Sequence, residues 1–216
     1  MTNNTTITKS KAKKIISLLK KEYPNSRCTL DFKTPHQLLV ATILSAQCTD
    51  ERVNIVTKDL FKKYKKTKNF AEAPINELEN DIRSTGFFRN KAKAIKESAA
   101  IIDKIYKGRM PDNLNELTKL PGVGRKTGSV ILGAAFNTAE GIVVDTHVTR
   151  LSQRLGFSKN KDAVKIEKDL MQIIPKKNWI IISHLLIDHG RAVCNARRPD
   201  CPGCKLKNLC PSANIL

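Results

Sequence analysis

Three groups of residues in this 216-residue sequence have the types and the spacing that chemistry requires. The first is the stretch LPGVGRKTGSV, residues 120–130, in which a glycine-rich turn precedes Arg125 and Lys126 and an apolar helical pattern follows. Lys126 falls in the first turn of that predicted helix, where the positive end of the helix dipole disfavours a cation. The net charge of +19 acts in the same direction. Both effects favour the neutral amine, which is the nucleophilic form of lysine.

The glycines of this stretch do not form a nucleotide-binding motif. A P-loop needs glycine directly before its lysine, where this chain has Arg125, and a dinucleotide fingerprint needs glycine at the position of Thr127. What remains is helix, tight turn, helix, in which Gly122 and Gly124 are expected to adopt positive φ and to let backbone N–H groups approach a phosphate. Such a turn suits sequence-independent binding of a DNA backbone, although in isolation the same pattern also forms plain connections between helices.

The second group is centred on Asp145, in the segment IVVDTHVTRL at the start of another predicted helix. Aspartate is a preferred N-cap, and capping alone explains its presence. A capping position also keeps the carboxylate ionised, which makes it a good electrostatic stabiliser of a positively charged sugar transition state. The two functions are compatible.

The third group consists of four cysteines spaced C-x6-C-x2-C-x5-C near the end of the chain. The N-terminus has no apolar signal core, so a cytosolic protein is expected, and compact cysteines then indicate metal ligation rather than disulfides. Four cysteines serve both zinc and iron-sulfur clusters, and the spacing leaves these alternatives open. Cys28 and Cys48 lie outside the array and are expected to be small buried hydrophobes. The four candidate ligands are Cys194, Cys201, Cys204 and Cys210.

The elements that must position these residues are helices. Thr34 with Pro35 and Thr49 provide helix-start signals, and Gly108 provides a stop. Only residues 141–144, GIVV, resemble a strand, and they have no partner run. The class predicted is all-α. Helical periodicity is found over residues 11–23, 35–44, 49–64, 74–83, 88–106, 114–119, 127–136, 145–155, 163–173 and 179–189.

Charge and hydropathy indicate the kind of partner. The chain has 39 Lys and Arg against 20 Asp and Glu, which points to a polyanion such as nucleic acid. No segment approaches the roughly 18 to 20 apolar residues of a spanning helix, so a membrane is not expected. The expected location is cytoplasmic and nucleoid-associated.

Taken together, LPGVGRKT, VDTHVTR, the cysteine array and LSAQCTD at residues 44–50 resemble the endonuclease III family of DNA glycosylases. The resemblance extends over roughly residues 11–210. It implies a two-domain helix-hairpin-helix DNA glycosylase fold with a cleft between the domains. A six-helix barrel would cover residues 24–132, and an iron-sulfur domain carrying a [4Fe-4S] cluster would combine residues 1–23 with 133–216.

The resemblance also implies an activity. Lys126 matches the family's nucleophile and Asp145 its essential carboxylate, which implies a glycosylase that removes oxidised pyrimidines and cleaves the abasic strand by β-elimination. Gln47 matches a residue that fills the gap left by the flipped base. Phe87 stands where the family often has an apolar wedge, commonly leucine, and Gly128 stands where alanine is frequent.

The expected partner is double-stranded DNA containing damaged bases or abasic sites, bound by a monomer. Two other functions fit parts of the sequence: a non-catalytic DNA-binding module with a structural metal site of four cysteines, and an adenine-type glycosylase. Adenine glycosylases lack the lysine nucleophile and usually carry a further C-terminal domain, whereas this sequence has Lys126 and ends at Leu216. The residues expected to contact DNA are Gln47, Phe87, Gly122, Val123, Gly124 and Arg125.

Overall fold

The computed structural model describes residues 7–213 and 215, and every regular element in this part of the chain is helical. The all-α prediction is therefore confirmed. Residues 1–6, 214 and 216 of the predicted iron-sulfur domain lie outside the described residues. The α-helices are α1 Lys9–Glu22, α2 Pro35–Leu44, α3 Asp50–Lys63, α4 Thr67–Glu72, α5 Ile75–Asp81, α6 Phe88–Lys104, α7 Leu114–Leu117, α8 Arg125–Phe136, α9 Thr146–Arg154, α10 Ala163–Ile173 and α11 Trp179–Ala192.

The chain divides into two compact units. One is the continuous segment Thr29–Thr138, which contains α2 to α8, and the other joins the residues up to Cys28 with those from Ala139 onward. The sequence-based limits of 24 and 132 differ from these boundaries by a few residues.

Local capping explains where several helices begin. Oγ1 of Thr34 accepts the Gln37 amide at 3.2 Å, and Oγ1 of Thr49 accepts the Arg52 amide at 3.3 Å. Each bond satisfies one of the amides that the first turn of a helix leaves without an intrahelical partner. Both capping threonines are those expected from the sequence.

Helix α4 was not predicted by hydrophobic periodicity, because it is short and follows a lysine-rich segment. Its N-terminus is closed by Oδ1 of Asn69, which accepts the Lys66 amide at 2.9 Å. Phe70 is completely buried, with its ring 4.8 Å from that of Tyr64. Tertiary burial of a single aromatic residue therefore supports a helix too short to be stable alone.

The discontinuous unit has its own hydrophobic core, formed by α1 and the helices from α9 to α11. Ile15 and Leu19 of α1 pack in one cluster with Leu151 and Leu185. Residues 141–144 form no ladder, and the Val143 carbonyl instead accepts a hydrogen bond from the Ser183 hydroxyl at 2.8 Å. None of the helices described is long and apolar enough to cross a bilayer.

We expect His36 of α2 to make stability depend on pH. Its side chain is 9% exposed, and burial lowers its pKa to about 4. Below pH 6.5 the unfolded chain binds a proton that the folded protein does not bind until about pH 4, so the free energy of unfolding falls as the pH decreases through this window. The full effect is up to about 3 kcal/mol.

Chemical denaturation of the wild type and of His36→Leu between pH 4 and 7 measures this contribution. The variant should show a shallower pH dependence. His147, His184 and His189 also have pKa values lowered by burial, so some slope should remain in the variant. Parallel curves for the two proteins would contradict the assignment to His36.

Candidate functional site

The glycine turn at residues 120–124 lies between α7 and α8. The order of helix, tight turn and helix expected from the sequence is therefore observed. Gly122 has φ +77°, as predicted. A Cβ at this position would lie 3.0 Å from the Ala94 Cβ, so glycine is required both for the backbone conformation and for packing. The prediction for Gly124 is wrong, because its φ is −84°, in the extended region open to every residue.

Gly124 is the N-cap of α8, and no side chain caps this helix. A Cβ built on Gly124 would meet no atom within 4 Å. Packing therefore does not require glycine at this position, and the space beside its backbone is open. The N–H groups at the start of a helix have no intrahelical partners and lie at its positive end. Arg125 and Lys126 follow and are exposed. The start of α8 therefore offers amides and cations to an anion.

Val123 was predicted to contact DNA, but its side chain is only 6% exposed. Its amide donates to the Leu120 carbonyl at 3.0 Å. Val123 therefore anchors the turn to the core, and its N–H is already used within the turn.

Helices α7 and α8 approach closely at Gly128. A Cβ at this position would lie 2.7 Å from Cδ1 of Leu114 on α7, which is closer than non-bonded carbon atoms approach. The resemblance indicated only that glycine stands here where alanine is frequent in the family. The structure shows that it also makes room for the preceding helix.

Asp145 belongs to the other unit, where it is the N-cap of α9. Its Oδ1 accepts the Val148 amide at 2.7 Å. The side chain is half-buried. The nearby His147 ring is hydrogen-bonded to Arg150, with Nδ1 of His147 3.2 Å from Nη2 of Arg150. The capping function inferred from the sequence is thus observed.

Gln47 and Phe87 share an uncommon backbone conformation, with φ of +55° and +47°. Non-glycine residues in the left-handed region are strained and are concentrated at functional sites. Gln47 is exposed, and 62% of the Phe87 surface is accessible although the residue is aromatic. These two residues belong to the same unit as Lys126, whereas Asp145 and the four cysteines belong to the discontinuous one.

Lys91 links the segments that carry Gln47 and Phe87, and sequence inspection missed it. The residue is 5% exposed, and its Nζ donates to the Leu44 carbonyl at 2.7 Å and to the Thr85 carbonyl at 2.8 Å. Those carbonyls lie three residues before Gln47 and two before Phe87. Lys91 lies on the buried face of α6 together with Ile95, four residues later. This spacing in the sequence could have indicated that Lys91 is buried.

Replacing Lys91 by Met should lower the free energy of unfolding by about 2 to 4 kcal/mol, because two buried carbonyls lose their donor. Urea denaturation measures the loss. Lys93→Met is the matched control, since Lys93 lies on the same helix with its side chain 72% exposed and should change stability by less than about 0.5 kcal/mol. Equal stability of both variants would show that the Lys91 hydrogen bonds contribute little.

The four cysteines of the array, for which the spacing predicts metal ligation, line one cavity. Burial raises the pKa values of Cys204 and Cys210. A bound cation would lower these pKa values again, because it stabilises the thiolate form. In the described part of the chain, no group of three or more His, Cys, Asp and Glu side chains converges closely enough to ligate a single metal ion.

Hydrogen-bond donors surround these sulfurs. Arg154 Nη1 lies 3.3 Å from Cys194 Sγ, and the Leu206 amide lies 3.4 Å from Cys204 Sγ. His189 stands between Tyr23 and Cys204, with its Nδ1 2.9 Å from the Tyr23 hydroxyl and its Nε2 3.4 Å from Sγ. Burial raises the pKa of Tyr23 to about 12, so the hydroxyl stays protonated. When it donates to Nδ1, Nε2 carries the proton that faces the sulfur.

A glycine hairpin with an uncapped helix, an exposed lysine in its first turn and a terminal array of four cysteines are the features expected of a helix-hairpin-helix DNA repair protein. Comparison with known proteins agrees, since residues 40–176 match the HhH-GPD superfamily of base excision DNA repair proteins. Endonuclease III of Synechocystis sp. is 53% identical over 205 residues, which are 95% of this chain and 94% of that protein. The chain belongs to the endonuclease III family.

Other relatives give the same result. Endonuclease III of Bacillus subtilis is 47% identical over 189 residues, covering 87% of this chain and 86% of that protein. A solved structure of a non-covalent endonuclease III–DNA complex superposes with a TM-score of 0.90 and is 44% identical, covering 97% of this chain and 98% of the other. Both the family and the fold implied by the resemblance are confirmed.

Proposed function

We propose that this base excision DNA glycosylase and AP lyase removes oxidised pyrimidines from duplex DNA through a Schiff base on Lys126. The observation that carries the proposal is the exposed Lys126 in the first turn of an uncapped helix, two residues after a glycine without steric neighbours. A related endonuclease III has been solved as a trapped covalent intermediate with DNA, at 44% identity and a TM-score of 0.90. That structure supports covalent chemistry within the family.

In this proposal the hairpin binds the DNA backbone. A phosphate would accept hydrogen bonds from main-chain amides around Gly122 and Gly124, at the positive end of α8, while Arg125 adds a charge. The exposed Phe87 would insert beside the damaged pair, and Gln47 would occupy the gap left by the flipped nucleotide. The buried Lys91 would position both segments through its hydrogen bonds to the Leu44 and Thr85 carbonyls.

Lys126 would act as the nucleophile. The neutral amine attacks C1′ of the flipped nucleotide, and the bond to the base breaks as the base leaves with the electron pair and takes a proton. Loss of the amine proton and opening of the sugar ring give a protonated Schiff base, which acidifies the C2′ proton. Removal of that proton expels the 3′ phosphate by β-elimination, and water then releases the lysine.

Asp145 would act through its charge. An ionised carboxylate near the sugar stabilises the positive charge that develops at C1′ as the base departs. Since Asp145 already accepts the Val148 amide through Oδ1, its orientation is fixed before DNA binds.

We assign a [4Fe-4S] cluster to Cys194, Cys201, Cys204 and Cys210. Such a cluster takes one thiolate at each iron, so its ligands line a cavity, and donors to the sulfurs are typical of these sites. When bound, the cluster would cross-link the segment after Cys201 to the end of α11, next to Cys194, within the discontinuous unit, and would order the basic residues between the ligands. The protein would act as a monomer on nucleoid DNA in the cytoplasm.

Replacement of Cys204 by Ser should reduce the bound iron from about four atoms per chain to less than one, because a cluster needs each of its ligands. Iron and zinc analysis with the visible spectrum of the purified protein measures this loss. Cys28→Ser, outside the array, is the control and should keep its iron. One zinc and no iron in the wild type would contradict the cluster assignment and favour a structural zinc site with four cysteine ligands.

A panel of duplexes tests the substrate class. Each duplex carries one lesion: thymine glycol, 5-hydroxycytosine, 8-oxoguanine opposite cytosine, adenine opposite 8-oxoguanine, or an abasic site. We expect excision of the two oxidised pyrimidines and cleavage of the abasic strand. Excision restricted to adenine would favour the adenine-type alternative, and binding without cleavage of any duplex would favour a non-catalytic module.

A further inference from the structure

A second cavity, of about 640 Å³, lies within the unit Thr29–Thr138 and is used by none of the steps above. Its wall includes Phe136, at the end of α8, whereas the hairpin lies at the beginning of that helix. Eleven residues at 1.5 Å per residue separate the two ends by about 16 Å. The cavity is thus distinct from the hairpin, and its volume is within the range of small-molecule sites.

The lining of this cavity is strongly basic. Lys65 and Lys66 come from the segment between α3 and α4, Lys68 from the first turn of α4, and Arg109 from the segment after α6. The acidic residue of the lining is Asp103. Lys68 is paired with Glu72 at 3.6 Å. Among the residues that the structure describes, no carboxylate lies within ion-pairing distance of Lys65, Lys66 or Arg109, which leaves their charges available to an anion.

The start of a helix adds to the positive character of this wall. The start of α2, with Thr34 and Pro35, forms part of the wall and places the positive end of a ten-residue helix there. His36 also lines the cavity, and its ring packs 5.2 Å from that of Phe70, so it forms part of the apolar wall.

The remaining wall is apolar. Pro35, Met110 and Phe136 are half-buried and face the same cavity as the basic residues. A bare inorganic anion would use only the charges, whereas a ligand with a phosphate group and a flat apolar body would use both. We therefore propose that this cavity binds a nucleoside phosphate, with its phosphates against Lys65, Lys66 and Arg109 and its base against Phe136.

Calorimetric titration of the full-length protein with ATP tests this proposal. The double variant Lys65→Ser/Lys66→Ser should bind ATP about tenfold or more weakly, because two charge-assisted contacts are lost. Lys13→Ser/Lys14→Ser is the matched control, since it also removes two adjacent exposed lysines, here from α1, and should bind as the wild type does. Inorganic phosphate should bind more weakly than ATP to the wild type.

Three results would overturn the proposal. Equal weakening in both double variants would show that ATP responds to the net charge of +19 alone. Equal affinity for ATP and inorganic phosphate would remove the function given to the apolar wall. A loss of affinity for undamaged duplex DNA, but not for ATP, in Lys65→Ser/Lys66→Ser would make the cavity part of the DNA-contacting surface.

The nucleotide site does not depend on the proposed catalytic function. The Lys126→Gln variant should therefore bind ATP with unchanged affinity, even where it no longer cleaves DNA.

Discussion

The Lys126→Gln variant is expected to lose covalent trapping by borohydride on duplex DNA that carries an oxidised pyrimidine or an abasic site. Glutamine cannot form a Schiff base, so the adduct that borohydride reduces does not arise. Strand cleavage should fall by at least about a thousandfold, the scale typical of removing a nucleophile.

Binding of the same DNA should change much less. Lys126 is one of 39 basic residues, and the hairpin amides contribute to phosphate binding independently of its side chain. We expect the affinity to fall by less than about tenfold at a fixed salt concentration, as for the loss of one phosphate contact. A variant that still forms the adduct at the wild-type level would show that another amine is the nucleophile.

Lys119→Gln is the matched control for this experiment. It removes the same charge from the segment that precedes the turn, where Lys119 pairs with Glu116 at 2.6 Å and is 65% exposed. Exposed pairs of this kind contribute little to stability, so the control should keep both its fold and its trapping. Loss of trapping in both variants would indicate a general charge effect rather than a nucleophile at position 126.

Two substitutions of Asp145 should separate its structural function from its proposed catalytic one. Asn is as good an N-cap as Asp, so Asp145→Asn should retain the bond to the Val148 amide and change the free energy of unfolding by less than about 0.5 kcal/mol. Removing the charge should nevertheless lower the rate of base excision by about a hundredfold or more.

Asp145→Ala removes both the charge and the cap. Its excision rate should match that of Asp145→Asn, while its free energy of unfolding should fall further, by about 1 kcal/mol. Single-turnover excision and urea denaturation on the same preparations measure the two quantities. Full activity in Asp145→Asn would leave Asp145 with the capping function alone.

Features governed by local chemistry could be predicted from the sequence. Thr34 with Pro35 and Thr49 mark helix starts because capping depends on a few adjacent residues. The cysteine array likewise depends on spacing within one short segment, and its members do line one cavity.

Features set by tertiary contacts could not be predicted. Helix α4 is supported by the burial of Phe70, and Val123 is directed into the core although it lies between two exposed glycines. Lys91 appeared in a lysine-rich segment where most lysines are solvated, and only the three-dimensional positions of the Leu44 and Thr85 carbonyls reveal its function. The glycine pattern in the turn did not distinguish the conformation of Gly124 from that of Gly122.

The close approach of Leu114 to Gly128 makes these two positions an epistatic pair. Alanine at 128 would gain helix propensity, about 0.5 to 1 kcal/mol, but would also displace a leucine whose Cδ1 lies 2.7 Å from the added carbon. Within the family, a larger residue at 128 should therefore occur together with a smaller or differently oriented side chain at 114. We therefore expect a hairpin transferred between relatives to be better tolerated when both positions are exchanged together.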